Sequence, residues 1–198
     1  MSAAPPTLMI VIASTRPGRV GLPVAQWMTR CAEEHAGFAV DVVDLADLGL
    51  PFVDEPNHPR LKRYTKEHTR AWSARVEATD AFVFVTPEYN HGFNAPLKNA
   101  LDFLYQEWAH KPAGIVAYGG IAAGSRAAEM LRLALLGLRI TPLFESVYIP
   151  FVAQLFDDDG QFQANESLER AATAMLDELV RYAAALRVLR APAQGEGA

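Results

Sequence analysis

The residues best suited to chemistry lie in one polar segment between two apolar stretches. The segment spans positions 86–94, follows a continuous apolar run at 81–85 and precedes a helix-forming sequence that begins at 95. In an open α/β sheet, ligands bind beyond the carboxyl ends of the strands, where such a segment lies. The pattern therefore predicts a ligand site. Its candidate binding residues are Pro87, Glu88, Tyr89, Asn90, His91 and Gly92.

The backbone of this segment suits a planar ligand that is rich in hydrogen-bond acceptors. Asn90 and Gly92 tolerate left-handed backbone angles, which would turn successive N–H groups toward one point. The pyrimidine edge of a flavin presents such acceptors with a single N–H among them. Tyr89 or His91 could stack on or flank the ring. Each residue alone has an ordinary structural explanation, but their combination at a strand end favours a flavin site.

The helix after the segment is expected to fasten it in place. Asn94 is a candidate N-cap, and Pro96 suits the first turn of a helix. The polar residues Lys98, Asn99 and Asp102 could tie the start of this helix back to the segment.

A second polar loop follows the first predicted strand. It contains Ser14, Thr15, Arg16, Arg19 and Val20, immediately before a predicted helix. The free N–H groups and partial positive charge of a helix N-terminus favour a phosphate, and hydroxyl and guanidinium groups add donors. The alternative is a capped helix start with exposed arginines. This loop has no Walker motif, no G-x-G-x-x-G fingerprint and no cysteine nucleophile, which excludes three common phosphate-loop classes.

The elements that must position both loops alternate in type along the chain. Strands are predicted at 8–13, 39–44, 81–85, 113–118 and 140–149, and helices at 22–35, 64–78, 95–108, 127–138 and 166–190. The region 45–59 is predicted as a loop, and Asn165 as the cap of the final helix. The alternation predicts an α/β fold with a parallel sheet between two layers of helices. We expect a flavodoxin-like three-layer sandwich with strand order 2-1-3-4-5, in which the loops after strands 1 and 3 are neighbours.

The composition is typical of one globular domain. The chain has 198 residues, 51% of them hydrophobic, and a net charge of −5. We predict a single domain over 1–190 and a disordered tail at 191–198. The negative charge argues against nucleic acid as a partner, and no apolar run reaches the roughly 18 residues of a membrane span. Because the single cysteine, Cys31, cannot form an internal disulfide and no signal peptide is evident, we expect a cytoplasmic location and no metal site.

At these positions the chain resembles the NADPH-dependent FMN reductase family of flavodoxin-like quinone and azo reductases. The resemblance covers roughly 8–185, and it rests on Ser-Thr-Arg at 14–16, Pro-Glu-Tyr-Asn-His-Gly at 87–92, Pro-Leu-Lys-Asn-Ala-Leu-Asp at 96–102 and Tyr-Gly-Gly at 118–120. Two positions depart from the usual pattern. Ala13 stands where a glycine is usual, and Gly92 stands where a serine is frequent.

The resemblance implies FMN as the cofactor and NADPH or NADH as the hydride donor. Ser14, Arg16 and Arg19 would then hold the FMN phosphate. The flavin ring would be lined, largely through backbone atoms, by Glu88, Tyr89, Asn90 and His91, and closed on its other side by Tyr118, Gly119 and Gly120. Arg126 or Arg19 could favour NADPH by pairing with its 2′-phosphate. Because the cofactor carries the hydride chemistry, no catalytic side chain is predicted.

The resemblance also implies a small-molecule electron acceptor, namely a quinone, an azo compound or free flavin, and a homodimer or homotetramer. Phe103, Tyr105 and Trp108 could form an apolar subunit interface, or they could belong to the core. Two other functions remain open, a flavodoxin-type electron carrier and a flavin-binding redox switch, both without efficient NAD(P)H turnover. Steady-state NADPH oxidation separates both of them from a reductase.

Overall fold

A five-stranded parallel sheet forms the centre of the computed structural model, which describes residues 4–190. The strands are β1 (Thr7–Ile12), β2 (Ala39–Asp44), β3 (Ala81–Pro87), β4 (Pro112–Tyr118) and β5 (Thr141–Ile149). Their order, β2-β1-β3-β4-β5, confirms the prediction, and each neighbouring pair runs parallel. Strands β3 and β4 are buried at all positions, which explains their continuous apolar sequence.

Helices cover both faces of the sheet. They are α1 (Gly21–His35), α2 (Leu45–Leu48), α3 (Glu67–Glu77), α4 (Ala95–Asp102), α5 (Ser125–Gly137) and α6 (Glu166–Arg190). One core, around Met28 and Leu176, lies between the sheet and helices α1 and α6. The other core, around Trp72 and Leu131, lies between the opposite face and helices α3, α4 and α5. This is the predicted three-layer arrangement. Asn165 caps α6 as predicted, since its Oδ1 accepts the N–H of residue 168 at 3.0 Å.

The region 45–59, which was predicted as a loop, contains helical structure. Its first residues form α2, which Asp44 caps through its side chain, and a 3-10 helix follows at Pro59–Leu61. The carboxylate of Glu55 accepts the N–H groups of Thr65 and Lys66 at 2.8 and 2.9 Å. Because these bonds fix the residues just before α3 in a non-helical conformation, the helix begins at 67 rather than at 64.

Phe103 and Trp108 belong to the core rather than to an exposed subunit interface. Both side chains are fully buried, and the ring centroids of Trp108 and Phe82 lie 5.1 Å apart. Tyr105 is partly exposed. Helix α4 ends at residue 102, earlier than predicted, and a 3-10 helix follows at Gln106–Trp108.

Within residues 4–190, no helix combines the length and the apolar character that crossing a bilayer requires. The tail predicted to be disordered, 191–198, lies outside the described residues.

Candidate functional site

The loops after β1, β3 and β4 meet at the carboxyl edge of the sheet, because these three strands are adjacent. The N–H of Glu88 donates to the carbonyl oxygen of Tyr118 at 2.9 Å, which joins the loop after β3 to the end of β4. The hydroxyl groups of Ser14 and Tyr89 lie 3.2 Å apart, which joins the loops after β1 and β3. The structure therefore brings the three predicted groups of binding residues to one place.

The loop after β1 presents backbone donors to solvent. Within residues 4–190, the N–H groups of Thr15, Arg16 and Gly18 have no hydrogen-bond acceptor, and no side chain caps the N-terminus of α1. Gly18 has a left-handed φ of +68°, with open space where a side chain would project. Ser14 is buried and Arg16 is exposed. An anion here would meet several free donors and the positive end of the helix dipole.

Arg19 is held by a residue that the sequence reasoning missed. Its guanidinium pairs with the carboxylate of Asp44, at the end of β2. The Nε of Arg19 is buried and has no partner among the described residues. Asp44 thus orients Arg19 beside the loop while one donor of Arg19 stays free. The sequence offered one clue to this role, because Asp44 is the last residue of the strand that was predicted to lie beside β1. Val20 is partly buried directly before α1.

The segment after β3 folds into a tight two-residue turn. Tyr89 and Gly92 exchange two backbone hydrogen bonds, of 2.9 and 3.0 Å, around Asn90 and His91. Both central residues have positive φ, 50° for Asn90 and 70° for His91. A type I′ turn requires positive φ at both central positions, so the prediction was right for Asn90 but wrong for Gly92. Gly92 instead leaves room for Met130, whose Sδ would lie 3.1 Å from an added Cβ.

The side chain of Glu88 is directed to the N-terminus of α5. Its carboxylate accepts the N–H of Arg126 at 3.2 Å and the guanidinium of the same residue at 3.0 Å. The acid therefore satisfies the free N-terminus of α5 and fixes the start of the turn. The backbone of Glu88, rather than its carboxylate, therefore remains available to contact a ligand.

Asn94 occupies the predicted N-cap position, but its side chain does not cap α4. Its Nδ2 donates to the carbonyl oxygen of Ala13 at 2.5 Å, so it fastens the loop after β3 to the loop after β1. The prediction that polar residues of α4 bond back to the segment after β3 is also wrong. Lys98 pairs with Asp102 on the same helix, and Asn99 donates to the carbonyl oxygen at position 51 at 2.7 Å.

Close packing shapes the loop after β4. Tyr118 is buried against the start of α1, where a Cβ on Gly21 would lie 2.2 Å from its hydroxyl oxygen. Burial, and then a neighbouring tyrosine, raise the pKa of Tyr118, so its hydroxyl stays protonated. A Cβ on Gly119 would lie 3.4 Å from the Cβ of Glu88, whereas Gly120 faces open space. A side chain at Gly119 would therefore be crowded by the loop after β3 and by Gly124, whereas one at Gly120 would not.

The free donors of the three loops fit FMN. Within the described part of the chain, the N–H groups of Asn90, His91 and Gly120 have no acceptor. These donors come from the two loops expected to flank the flavin ring, and the acceptor-rich edge of a flavin requires such donors. The uncapped start of α1 suits the phosphate.

The chain belongs to the NADPH-dependent FMN reductase family, whose model matches residues 6–154. It is 39% identical to an NAD(P)H-dependent FMN reductase of Schizosaccharomyces pombe over 148 residues, which cover 73% of this chain and 74% of the relative. It is 32% identical to a probable NADPH:quinone oxidoreductase of Oryza sativa over 180 residues, 85% of this chain and 82% of the relative.

A solved structure shares the fold. The flavoenzyme FerB of Paracoccus denitrificans, an NAD(P)H:acceptor oxidoreductase, superimposes with a TM-score of 0.73 at 22% identity and covers 91% of this chain and 98% of its own. The flavodoxin-like fold is confirmed, and family membership defines the chain as an FMN-dependent NAD(P)H oxidoreductase.

Proposed function

We propose that this enzyme holds the FMN phosphate on the loop after β1 and the flavin ring between the loops after β3 and β4, and that it passes the electrons of NAD(P)H to a quinone or azo compound. The observation that carries this proposal is that N–H groups without an acceptor among the described residues, at Thr15, Asn90 and Gly120, lie in three loops at one edge of the sheet. Quinone reduction is named for the relative from Oryza sativa, and the shared family supports it here.

The residues of the site bind and orient rather than react. FMN supplies the hydride chemistry when it is bound. Ser14 and Arg16 hold the phosphate, and Arg19 assists from its place beside Asp44. Donors at Asn90 and His91 face the acceptor edge of the ring and stabilise negative charge that develops there.

No nucleophilic side chain takes part in the proposed reaction. Cys31 is the single cysteine, and its thiol donates to the carboxylate of Glu169 at 3.5 Å, on helices away from the loops. Burial and the charge of Glu169 raise the pKa of Cys31 to about 12, so the thiol stays protonated and unreactive.

We further propose a single FMN-binding domain over 1–190, a cytoplasmic location and a homodimer. An exposed apolar stripe on α5 supports the dimer, since Met130, Leu133 and Leu136 are 51%, 73% and 60% exposed. Met130 also packs on Gly92, so this stripe begins at the turn after β3. Leu133→Glu should shift sedimentation toward the monomer, whereas Leu189→Glu, on the exposed face of α6, should leave it unchanged. Equal behaviour of the two variants would contradict the assignment.

The proposed reaction is tested by the absorbance spectrum of the protein between 300 and 550 nm, before and after NADPH is added without air. We expect a flavin spectrum that bleaches and then recovers when a quinone is added. A flavin spectrum that stays unchanged with NADPH and NADH would favour an electron carrier or a redox switch. A protein that takes up no added FMN would overturn the proposal.

A further inference from the structure

Phe52, in the segment after α2, is an exposed aromatic residue whose backbone is held on both sides by one side chain. The amide of Asn99 on α4 donates to the carbonyl oxygen of Pro51 at 2.7 Å and accepts the N–H of Val53 at 3.1 Å. These bonds fix the backbone at 52, yet its ring is 85% exposed and lies outside both cores. Packing within the chain therefore does not explain an aromatic residue at this position.

The ring of Phe52 lines a cleft between α2 and α4. The cleft has a volume of about 380 Å³, within the roughly 300–1,000 Å³ that ligand pockets occupy. Leu45 and Leu50 line it on one side and Pro96 on the other. Thr15 also lines it, which places the cleft directly beside the loop after β1.

The lining of the cleft suits a neutral, planar, aromatic group. Its lining residues are apolar or uncharged, and the amide of Asn99 is already occupied by the segment after α2. The N–H of Thr15 has no acceptor among the described residues. An aromatic base would bury apolar area in the cleft, stack on Phe52 and offer a ring nitrogen to a free donor.

The position of the cleft restricts which ligand can occupy it. It adjoins the loop proposed to hold the FMN phosphate. None of its lining residues belongs to the turn at 89–92 or to the loop after β4, between which the flavin ring is proposed to lie. A hydride donor and an electron acceptor must each bring their reacting part to that ring. Of the reactants, NAD(P)H carries an aromatic base that has no need to reach it.

We propose that the cleft between α2 and α4 binds the adenine base of NAD(P)H, stacked on Phe52, and that Asn99 positions the ring of Phe52. This inference rests on the proposed function and adds a subsite for the hydride donor to the same site. Because the lining contains no cation, the cleft holds NADPH and NADH alike.

Four variants separate stacking from a structural role. Phe52→Ala removes the ring, Phe52→Trp keeps an aromatic surface, and Asn99→Ala releases the backbone at 51 and 53. Phe144→Ala, which removes a 91% exposed phenylalanine from β5, is the matched control. The FMN-loaded proteins are titrated with ADP in a calorimeter, so that binding is measured without turnover. Kinetics are measured with NADPH, NADH and reduced nicotinamide mononucleotide, a hydride donor that lacks the adenosine.

We expect Phe52→Ala to raise the Kd for ADP and the KM for NADPH and NADH about tenfold. The KM for reduced nicotinamide mononucleotide and the Kd for FMN should stay unchanged. Phe52→Trp and Phe144→Ala should behave as the original chain does. Asn99→Ala should raise the Kd for ADP by a smaller factor, because the ring remains but is no longer held.

Three results would overturn the subsite. The first is an original FMN-loaded protein that binds no ADP, and the second is an unchanged Kd for ADP in Phe52→Ala. The third is an equal rise in KM for NADPH and for reduced nicotinamide mononucleotide, since Phe52 would then act on the nicotinamide or on the cofactor. Unchanged ADP binding in Asn99→Ala would remove the positioning role of Asn99.

These outcomes are distinct from a failure of the proposed function, because ADP binding requires no hydride transfer. A protein that binds ADP on Phe52 but is not bleached by NADPH or NADH would contradict the reductase reaction and keep the adenine subsite. A protein that takes up no FMN would overturn both proposals.

Discussion

The side-chain amide of Asn94 donates to the carbonyl oxygen of Ala13 at 2.5 Å and joins two loops that are 81 residues apart in the sequence. The amide is buried, and its oxygen accepts the hydroxyl of Thr86 at 3.4 Å. One side chain therefore sets the spacing between the loop proposed to receive the phosphate and the loop proposed to receive the ring. The rigidity of this link would hold the two loops at a fixed spacing before the cofactor binds.

Replacing Asn94 should damage both stability and cofactor binding. In Asn94→Ala the buried carbonyl of Ala13 loses its donor, which should lower the free energy of unfolding by about 1–3 kcal/mol. The Kd for FMN should rise because the two loops lose their fixed spacing. Urea unfolding and flavin fluorescence measure the two effects. Lys98→Ala, on the exposed face of the same helix, should change the free energy of unfolding by less than about 0.5 kcal/mol. Equal effects of both variants would contradict the role of Asn94.

The close approach of Gly21 to Tyr118 predicts that a second substitution at 118 can restore stability that is lost by a substitution at 21. An added Cβ on Gly21 would lie 2.2 Å from the hydroxyl oxygen of Tyr118, so Gly21→Ala should destabilise the protein by about 1–3 kcal/mol. Removing the hydroxyl with Tyr118→Phe should relieve the 2.2 Å contact and leave the ring carbon Cζ at 3.1 Å from the added Cβ, so the double variant should regain part of the loss. A double-mutant cycle of urea unfolding measures this coupling. Additive effects of the two changes would show that the hydroxyl is not the obstacle.

The ion pair between Glu88 and Arg126 should contribute more to stability and to FMN binding than an ordinary surface ion pair does. Arg126→Ala leaves the largely buried carboxylate of Glu88 with only a backbone donor. Because the guanidinium is half exposed, we expect a modest loss of about 1 kcal/mol in the free energy of unfolding and weaker FMN binding as the turn after β3 loosens. Arg170→Ala, which breaks an exposed pair with Glu166 on α6, is the matched control and should leave FMN binding unchanged. Unchanged FMN affinity in Arg126→Ala, or an equal loss in both variants, would contradict the assignment.

Lys111 predicts a rise in stability with increasing pH. Its buried ammonium donates to the carbonyl oxygens of Val76 and Glu77 at 2.7 and 3.0 Å, at the end of α3. Burial, and then the charge of Arg190, lower the pKa of Lys111 to about 8 from 10.5. Between these values the unfolded chain binds more protons than the folded one. The free energy of unfolding should therefore increase with pH above about 8, by at most about 1.4 kcal/mol per pH unit.

Urea unfolding at pH 7, 8 and 9 measures this slope. Lys111→Met should abolish the increase between pH 8 and 9, whereas Lys66→Met, at an exposed position, should retain it. Measurements stop at pH 9 because Cys31, whose pKa is raised from 9.0 to about 12, acts in the opposite direction above that value. An unchanged slope in Lys111→Met would assign the effect to another group.

The sequence by itself determined the sheet, its strand order and the three loops that form the site. Continuous apolar runs such as 81–85 can be satisfied only in a strand buried on both faces, and alternation with helices leaves parallel pairing as the solution. The position of polar residues after strands is likewise local information, since each loop directly follows its strand in the chain.

Only the tertiary structure decided which polar groups pair across these loops. Asn94 reads as a helix cap, yet its amide meets Ala13, and Glu88 reads as a ring-lining residue, yet its carboxylate meets Arg126. The two hydrogen bonds between Asn99 and the segment after α2 have no local sequence signal either. Strand order specifies which loops are neighbours, but hydrogen-bond partners depend on distances of a few ångströms between segments far apart in sequence, and those distances are fixed only when the helices pack on the sheet.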